Sequence, residues 1–92
     1  MEKLETSQIS AFIAVVEHQS FTKAAEILDL TQPSLSARII SLEKEMNEQL
    51  FQRTGRGVRL TDAGKALVPY AERILQFISD GKEAVFGVHS NS

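Results

Sequence analysis

Ninety-two residues with 42% hydrophobic and 24% charged side chains suit one small folded domain; they exclude a disordered chain and a pair of independently folded units. The absence of cysteine removes disulfide scaffolds, thiolate metal sites, iron–sulfur clusters and cysteine nucleophiles together, and the two histidines have no second ligand at metal spacing. Ten Lys and Arg against twelve Asp and Glu give a net charge of −2, but the charge is uneven: 1–19 and 61–92 are acidic, whereas 51–60 holds Arg53, Arg56 and Arg59 with no acid.

In chain order, Ile9, Phe12, Ile13 and Val16 form the stripe of an amphipathic helix over about 7 to 18, with Thr6 or Ser7 as its cap. Ser20 caps a short second helix, about 21 to 28, in which Ala24, Ala25, Ile27 and Leu28 supply a small, partly apolar face. Thr31 caps a third, about 32 to 46, with Pro33 tolerated in the first turn and Leu35, Ile39, Leu42 and Met46 turned inward. Residues 50–60 alternate apolar and polar around Gly55 and Gly57, the pattern of a β-hairpin that must pack on the helices to be stable. Thr61 caps a long fourth helix. Pro69 predicts a bend near 65 to 69 or a later start, and the small, polar residues from Gly87 to Ser92 predict a frayed tail.

The pair from 20 to 46 has the shape of a helix-turn-helix, with Ala24 and Ala25 permitting close approach and Leu30 plugging the turn. Opposite the inward stripe of the third helix the spacing places Ser34, Arg38 and Ser41, with Gln32 at the exposed start. These are groove-reading types: glutamine pairs with adenine, arginine with guanine, and serine with phosphate or either base. Glu43, Glu45 and Glu48 gather toward the helix C-terminus, so the N-terminal half is the side suited to a polyanion. The hairpin adds a wing whose tip carries Arg56, with Arg53 as a phosphate clamp at its base. A surface field is screened within roughly 10 Å at ordinary salt, so this local cluster matters more than the acidic average.

At this point the sequence resembles the N-terminal DNA-binding domain of LysR-type transcriptional regulators over essentially its whole length. The resemblance rests on Ile9-x-x-Phe12-Ile13-x-Val15, Ser20-Phe21-Thr22-x-Ala24-Ala25-x-x-Leu28 and Thr31-Gln32-Pro33-Ser34-Leu35-Ser36. It continues through Leu42-Glu43, Leu50-Phe51-x-Arg53, Arg56-Gly57-Val58-Arg59-Leu60 and Thr61-x-Ala63-Gly64. It implies a mainly α fold: a winged helix-turn-helix of three helices plus a small hairpin over 1–61, then a linker and dimerisation helix over 62–92. It further implies a homodimer on a palindromic operator in double-stranded DNA. Complete members are similar to tetramers with a C-terminal effector-binding part, so no small-molecule effector is expected in this chain.

By the same resemblance Gln32, Pro33, Ser34 and Ser36 touch bases or nearby phosphates, while Ser20, Thr22 and Thr31 position the backbone and Arg53 and Arg56 grip phosphate or minor groove. Arg38 and Ser41 complete the expected base-reading set. One position departs from the pattern. The family often has a basic residue directly after Ser36 and then a glutamine, whereas this chain has Ala37 and Arg38, which moves the cation by about 100° around the helix.

The fourth helix carries Leu67, Ala71, Ile74, Leu75 and Ile78, with Phe77, Val85 and Phe86 beside them, more apolar surface than one small globule covers. Antiparallel pairing with a second copy is the expectation. The rival is a helical adaptor that binds protein through the fourth helix, its arginines merely solubilising it. No enzyme, cofactor or metal site is expected, and no stretch nears the ~18 apolar residues of a membrane helix, which points to the cytoplasm and the bacterial nucleoid. The bare linker helix fits a piece of a longer regulator.

Overall fold

Caps and left-handed residues divide the first part of the chain. The computed structural model describes residues 4–55 and 57–90. It has α1 (Thr6–His18), α2 (Phe21–Ile27), α3 (Gln32–Met46), β1 (Phe51–Thr54), β2 (Gly57–Leu60) and α4 (Asp62–Ser90). Gln19, Asp29 and Asn47 take φ of 52°, 56° and 55°, the left-handed conformation that turns the chain after α1, α2 and α3. Ser20 and Thr31 cap α2 and α3 by accepting from the N–H groups of Lys23 and Ser34. The cap of α1 differs from expectation: it is Glu5, not Thr6 or Ser7, because Gln8 reaches back to accept from the Glu5 N–H at 2.9 Å.

The three helices enclose Ile9, Phe12, Val15, Phe21, Ala24, Leu35, Ile39 and Leu42. Ala24 is wholly buried where α2 meets its neighbours, and Leu30 closes the turn through its N–H to the Ala25 carbonyl at 2.8 Å. Ile27 is the exception on α2, exposed to 64%. The hairpin is antiparallel, with Phe51 opposite Leu60 and Arg53 opposite Val58. Phe51 locks it onto the helices, its ring 5.3 Å from Phe12 and 5.8 Å from Phe21.

Two fixings join α4 to this body. Thr61 caps it by accepting from the Gly64 N–H at 3.0 Å and donates its own hydroxyl hydrogen to the Gln49 carbonyl at 2.6 Å. Gly64 passes so close to the residue leading into β1 that an added β-carbon would fall on the Leu50 carbonyl oxygen. Ala63, Leu67, Val68, Ala71, Ile74 and Leu75 then pack against the core, so the start of the expected linker segment is part of the winged body's own packing.

Two expectations for α4 are corrected. The helix does not start late: it is continuous from Asp62 through Pro69, which is exposed, where the carbonyl that loses its N–H partner can turn to water. Nor does it fray from Gly87, since it runs to Ser90. Its 29 residues, about 44 Å at 1.5 Å per residue, account for most of the molecule's 55 Å length.

Candidate nucleic-acid interface

The start of α3 is an exposed polar edge. Thr31, Gln32, Pro33 and Ser34 are all exposed. The Thr31 hydroxyl accepts from the Ser34 N–H at 3.2 Å and donates to the Ser34 Oγ at 2.9 Å, which leaves the Ser34 hydroxyl hydrogen to donate outward. The exposed Gln32 side chain has no hydrogen-bond partner among the described residues, so its amide presents both donor and acceptor. The first N–H groups of α3 face the same way, adding the positive end of the helix dipole.

Arg53 ties the hairpin to this edge. Strand alternation puts it on the face shared with Phe51 and opposite Val58, and beyond Phe21 the helices no longer cover that face. Its guanidinium therefore emerges at the rim, 3.9 Å from the centre of the Phe21 ring, and Nη2 donates to the Ser36 Oγ at 3.2 Å. One cation is thus stacked on α2 and bonded to α3, with its remaining N–H groups available. Ser20, Thr22, Gln32, Arg53 and Gly57 line one shallow depression of about 270 Å³. A larger cleft of about 720 Å³ runs between α3 and β1 past Ser36, Ile40 and Arg53.

Not every expected residue joins this edge. Ser41 accepts from the Gln8 Nε2 at 2.8 Å and is bound to α1, and Arg38, on the same flank, is half-buried. α1 packs along that flank, so of the stripe Ser34, Arg38, Ser41 the first and last are exposed, Ser41 with its oxygen already accepting from Gln8, and Arg38 is partly covered. Arg56 lies outside the described residues. The sequence reading missed Glu43: its carboxylate accepts from the Leu50 N–H at 2.7 Å and secures the entry to β1. That partner is seven residues away across a turn, so no local spacing advertises it.

Nor does the expected dimer stripe survive whole. Ala71 is 0% exposed in the domain's own core and cannot reach a second helix, and Leu67, Ile74 and Leu75 are partly covered by the same core. Ile78, at 36%, begins the uncovered part. Beyond it Val85 and Val88 are exposed to 63% and 71%, as Phe77 is to 73% beside it. Among the described residues no helix is long and apolar enough to cross a membrane, and no cluster of three or more His, Cys, Asp or Glu could hold a metal.

The model for bacterial regulatory helix-turn-helix proteins of the lysR family matches residues 6–65. The chain belongs to the LysR family. A similar protein is an uncharacterized HTH-type transcriptional regulator of the ibpB-leuC intergenic region of Azotobacter vinelandii. It is 49% identical over 82 residues, 89% of this chain and 57% of that protein. The nitrogen assimilation regulatory protein nac of Escherichia coli strain K12 is 43% identical over 81 residues, 88% of this chain and 27% of the relative. The LysR-type domain described here therefore spans from about a quarter to a little over half of these relatives.

Among solved structures, the BenM_DBD/catB site 1 DNA complex is 38% identical with a TM-score of 0.89, over 95% of this chain and 98% of that one. The CbnR_DBD-DNA complex is 32% identical with a TM-score of 0.85, over 92% and 98%. The Azotobacter relative is a transcriptional regulator, the nac relative is a regulatory protein, and the two solved neighbours are DBD chains in complex with DNA. The fold is the LysR-type winged helix-turn-helix.

Proposed function

We propose that this domain binds double-stranded DNA site-specifically, laying the start of α3 in the major groove. In this reading Gln32, Pro33, Ser34 and Ser36 meet base edges and adjacent phosphates. Ser20, Thr22 and Thr31 hold the flanking backbone, and Arg53, with Arg56 at the wing, grips phosphate or the minor-groove wall. The observation that carries it is the meeting of an exposed, capped α3 edge with a guanidinium held between Phe21 and Ser36. Support comes also from the likeness to LysR-type domains solved with DNA.

Two domains pair in this proposal through the uncovered part of α4 rather than through the stripe centred on Ala71. Phe77, Ile78, Val85 and Val88 supply the apolar surface, and a two-fold pair presents two α3 helices to a palindromic operator. A full-length regulator carrying the domain would be a tetramer acting at the nucleoid.

Anisotropy titration of a labelled duplex over a range of salt tests the DNA reading. Affinity is expected to fall with a log–log slope of about −0.9 per phosphate neutralised. A flat plot overturns the proposal and returns the arginines to a solubilising role.

A further inference from the structure

The outermost line of α3 is apolar at its centre. With Leu35, Ile39 and Leu42 facing inward at 0%, 3% and 0% exposure, the residues about half a turn away are Pro33, Ala37, Ile40 and Lys44. All four are exposed, Ile40 to 53%. The fold does not need Ile40 for its core. Yet this isoleucine stands on the rim of the α3–β1 cleft that also holds Ser36 and Arg53, directly beyond the polar edge of Gln32 and Ser34. Ala37 lies one turn closer to that edge. The apolar ridge therefore continues the same surface, and whatever lies along that edge passes over it.

We propose that Ala37 and Ile40 form an apolar seat for thymine C5-methyl groups in the major groove, so that the middle of α3 selects thymine by methyl contact rather than by hydrogen bonding. The inference rests on the DNA-binding reading above. Thymine is the standard base that offers a methyl group in that groove; guanine, adenine and cytosine offer lone pairs or amino hydrogens there. An isoleucine pressed on those groups removes their water and returns no hydrogen bond, which is unfavourable. Against a methyl it buries apolar surface on both partners. An arginine or lysine at either position would instead prefer guanine or phosphate, so the two apolar side chains set a different choice of base.

The test begins with selection of bound duplexes from a random pool by the wild-type domain. Each thymine of the selected half-site is then replaced singly by deoxyuridine, which removes the methyl and leaves base pairing intact. At the one or two positions beneath Ala37 and Ile40, wild-type affinity is expected to fall about fourfold, the equivalent of one buried methyl. Ile40→Ser and Ala37→Ser, both at exposed positions, should each bind thymine and uracil duplexes equally at one of those positions while melting like the wild type.

Uracil tolerated at every position by the wild type overturns the inference, with site-specific binding intact. So does a penalty that persists unchanged in both variants, because the methyl then acts through DNA shape. Enrichment of no duplex at all overturns the DNA-binding reading itself and the inference with it.

Discussion

The two halves of α4 carry similar apolar residues in opposite surroundings. From Ala63 to Leu75 they close over the core, with Ala71 fully covered, whereas Phe77, Val85 and Val88 stand in the open at 73%, 63% and 71%. Length explains the difference. At 1.5 Å per residue the 13 residues of α1 reach about 20 Å, and α4 with 29 reaches about 44 Å, so its distal half outruns the helix beside it. Periodicity identifies the helix and its apolar residues alike in both halves; only the reach of the neighbouring elements decides which half belongs to the domain and which is left for a partner.

The contrast is broken most severely at Gly64. Alanine there gains about 1 kcal/mol of helix propensity, but its β-carbon meets the Leu50 carbonyl oxygen, which already accepts from the Thr61 N–H at 3.0 Å and cannot retreat freely. The clash wins. Overpacking of this kind, together with strain on that hydrogen bond, is expected to leave Gly64→Ala about 2 kcal/mol less stable, a fall of roughly 8–16 °C in Tm for a domain of this size. A melting curve equal to wild type would mean that α4 is not clamped to Leu50, the residue leading into β1, at this point.

Thr61→Ala attacks the same joint more gently. It removes the acceptor for the Gly64 N–H and the donor to Gln49, and water can reach part of the site, so about 1–1.5 kcal/mol is expected in urea unfolding. Thr61→Ser, which keeps the oxygen, should recover most of the loss. Failure of serine to do so would assign the effect to the methyl group.

These joints also mark how far the sequence speaks. Ser20 and Thr31 were legible as caps because their partners lie three residues on, and the α3 boundaries followed from the cap and the stripe. The glycine pair likewise announced the hairpin. Interactions that cross the chain were silent: Glu43 with Leu50, Gln8 with Ser41, and Arg53 with Phe21 and Ser36. Ser41 illustrates the consequence. A helix wheel with one buried stripe leaves every other position outward, but α3 also packs on α1 along a second flank, so the exposed Ser41 has an oxygen that already accepts from Gln8. The outermost ridge passes to Pro33, Ala37, Ile40 and Lys44, of which a hydrogen-bonding criterion would select only Lys44.

The gentlest perturbation for the domain itself separates the two halves of α4 most sharply. Phe77→Asp places a charge on a side chain exposed to 73% and is expected to change the unfolding free energy of the monomer by no more than about 0.5 kcal/mol. In a paired α4 the same aspartate would be buried opposite apolar groups without a counter-charge, which is strongly unfavourable. Sedimentation should therefore show a dimer giving way to a monomer, and the concentration dependence of the wild-type Tm should vanish with it. DNA binding should weaken through loss of the second half-site, while each remaining α3 keeps its base preference. A variant that sediments like the wild type would place the partner surface elsewhere, and the exposed distal half would then need a different occupant. Comparison with Ile74→Asp completes the experiment: Ile74 already packs on the domain's core, so its loss should lower monomer stability, which Phe77→Asp should spare.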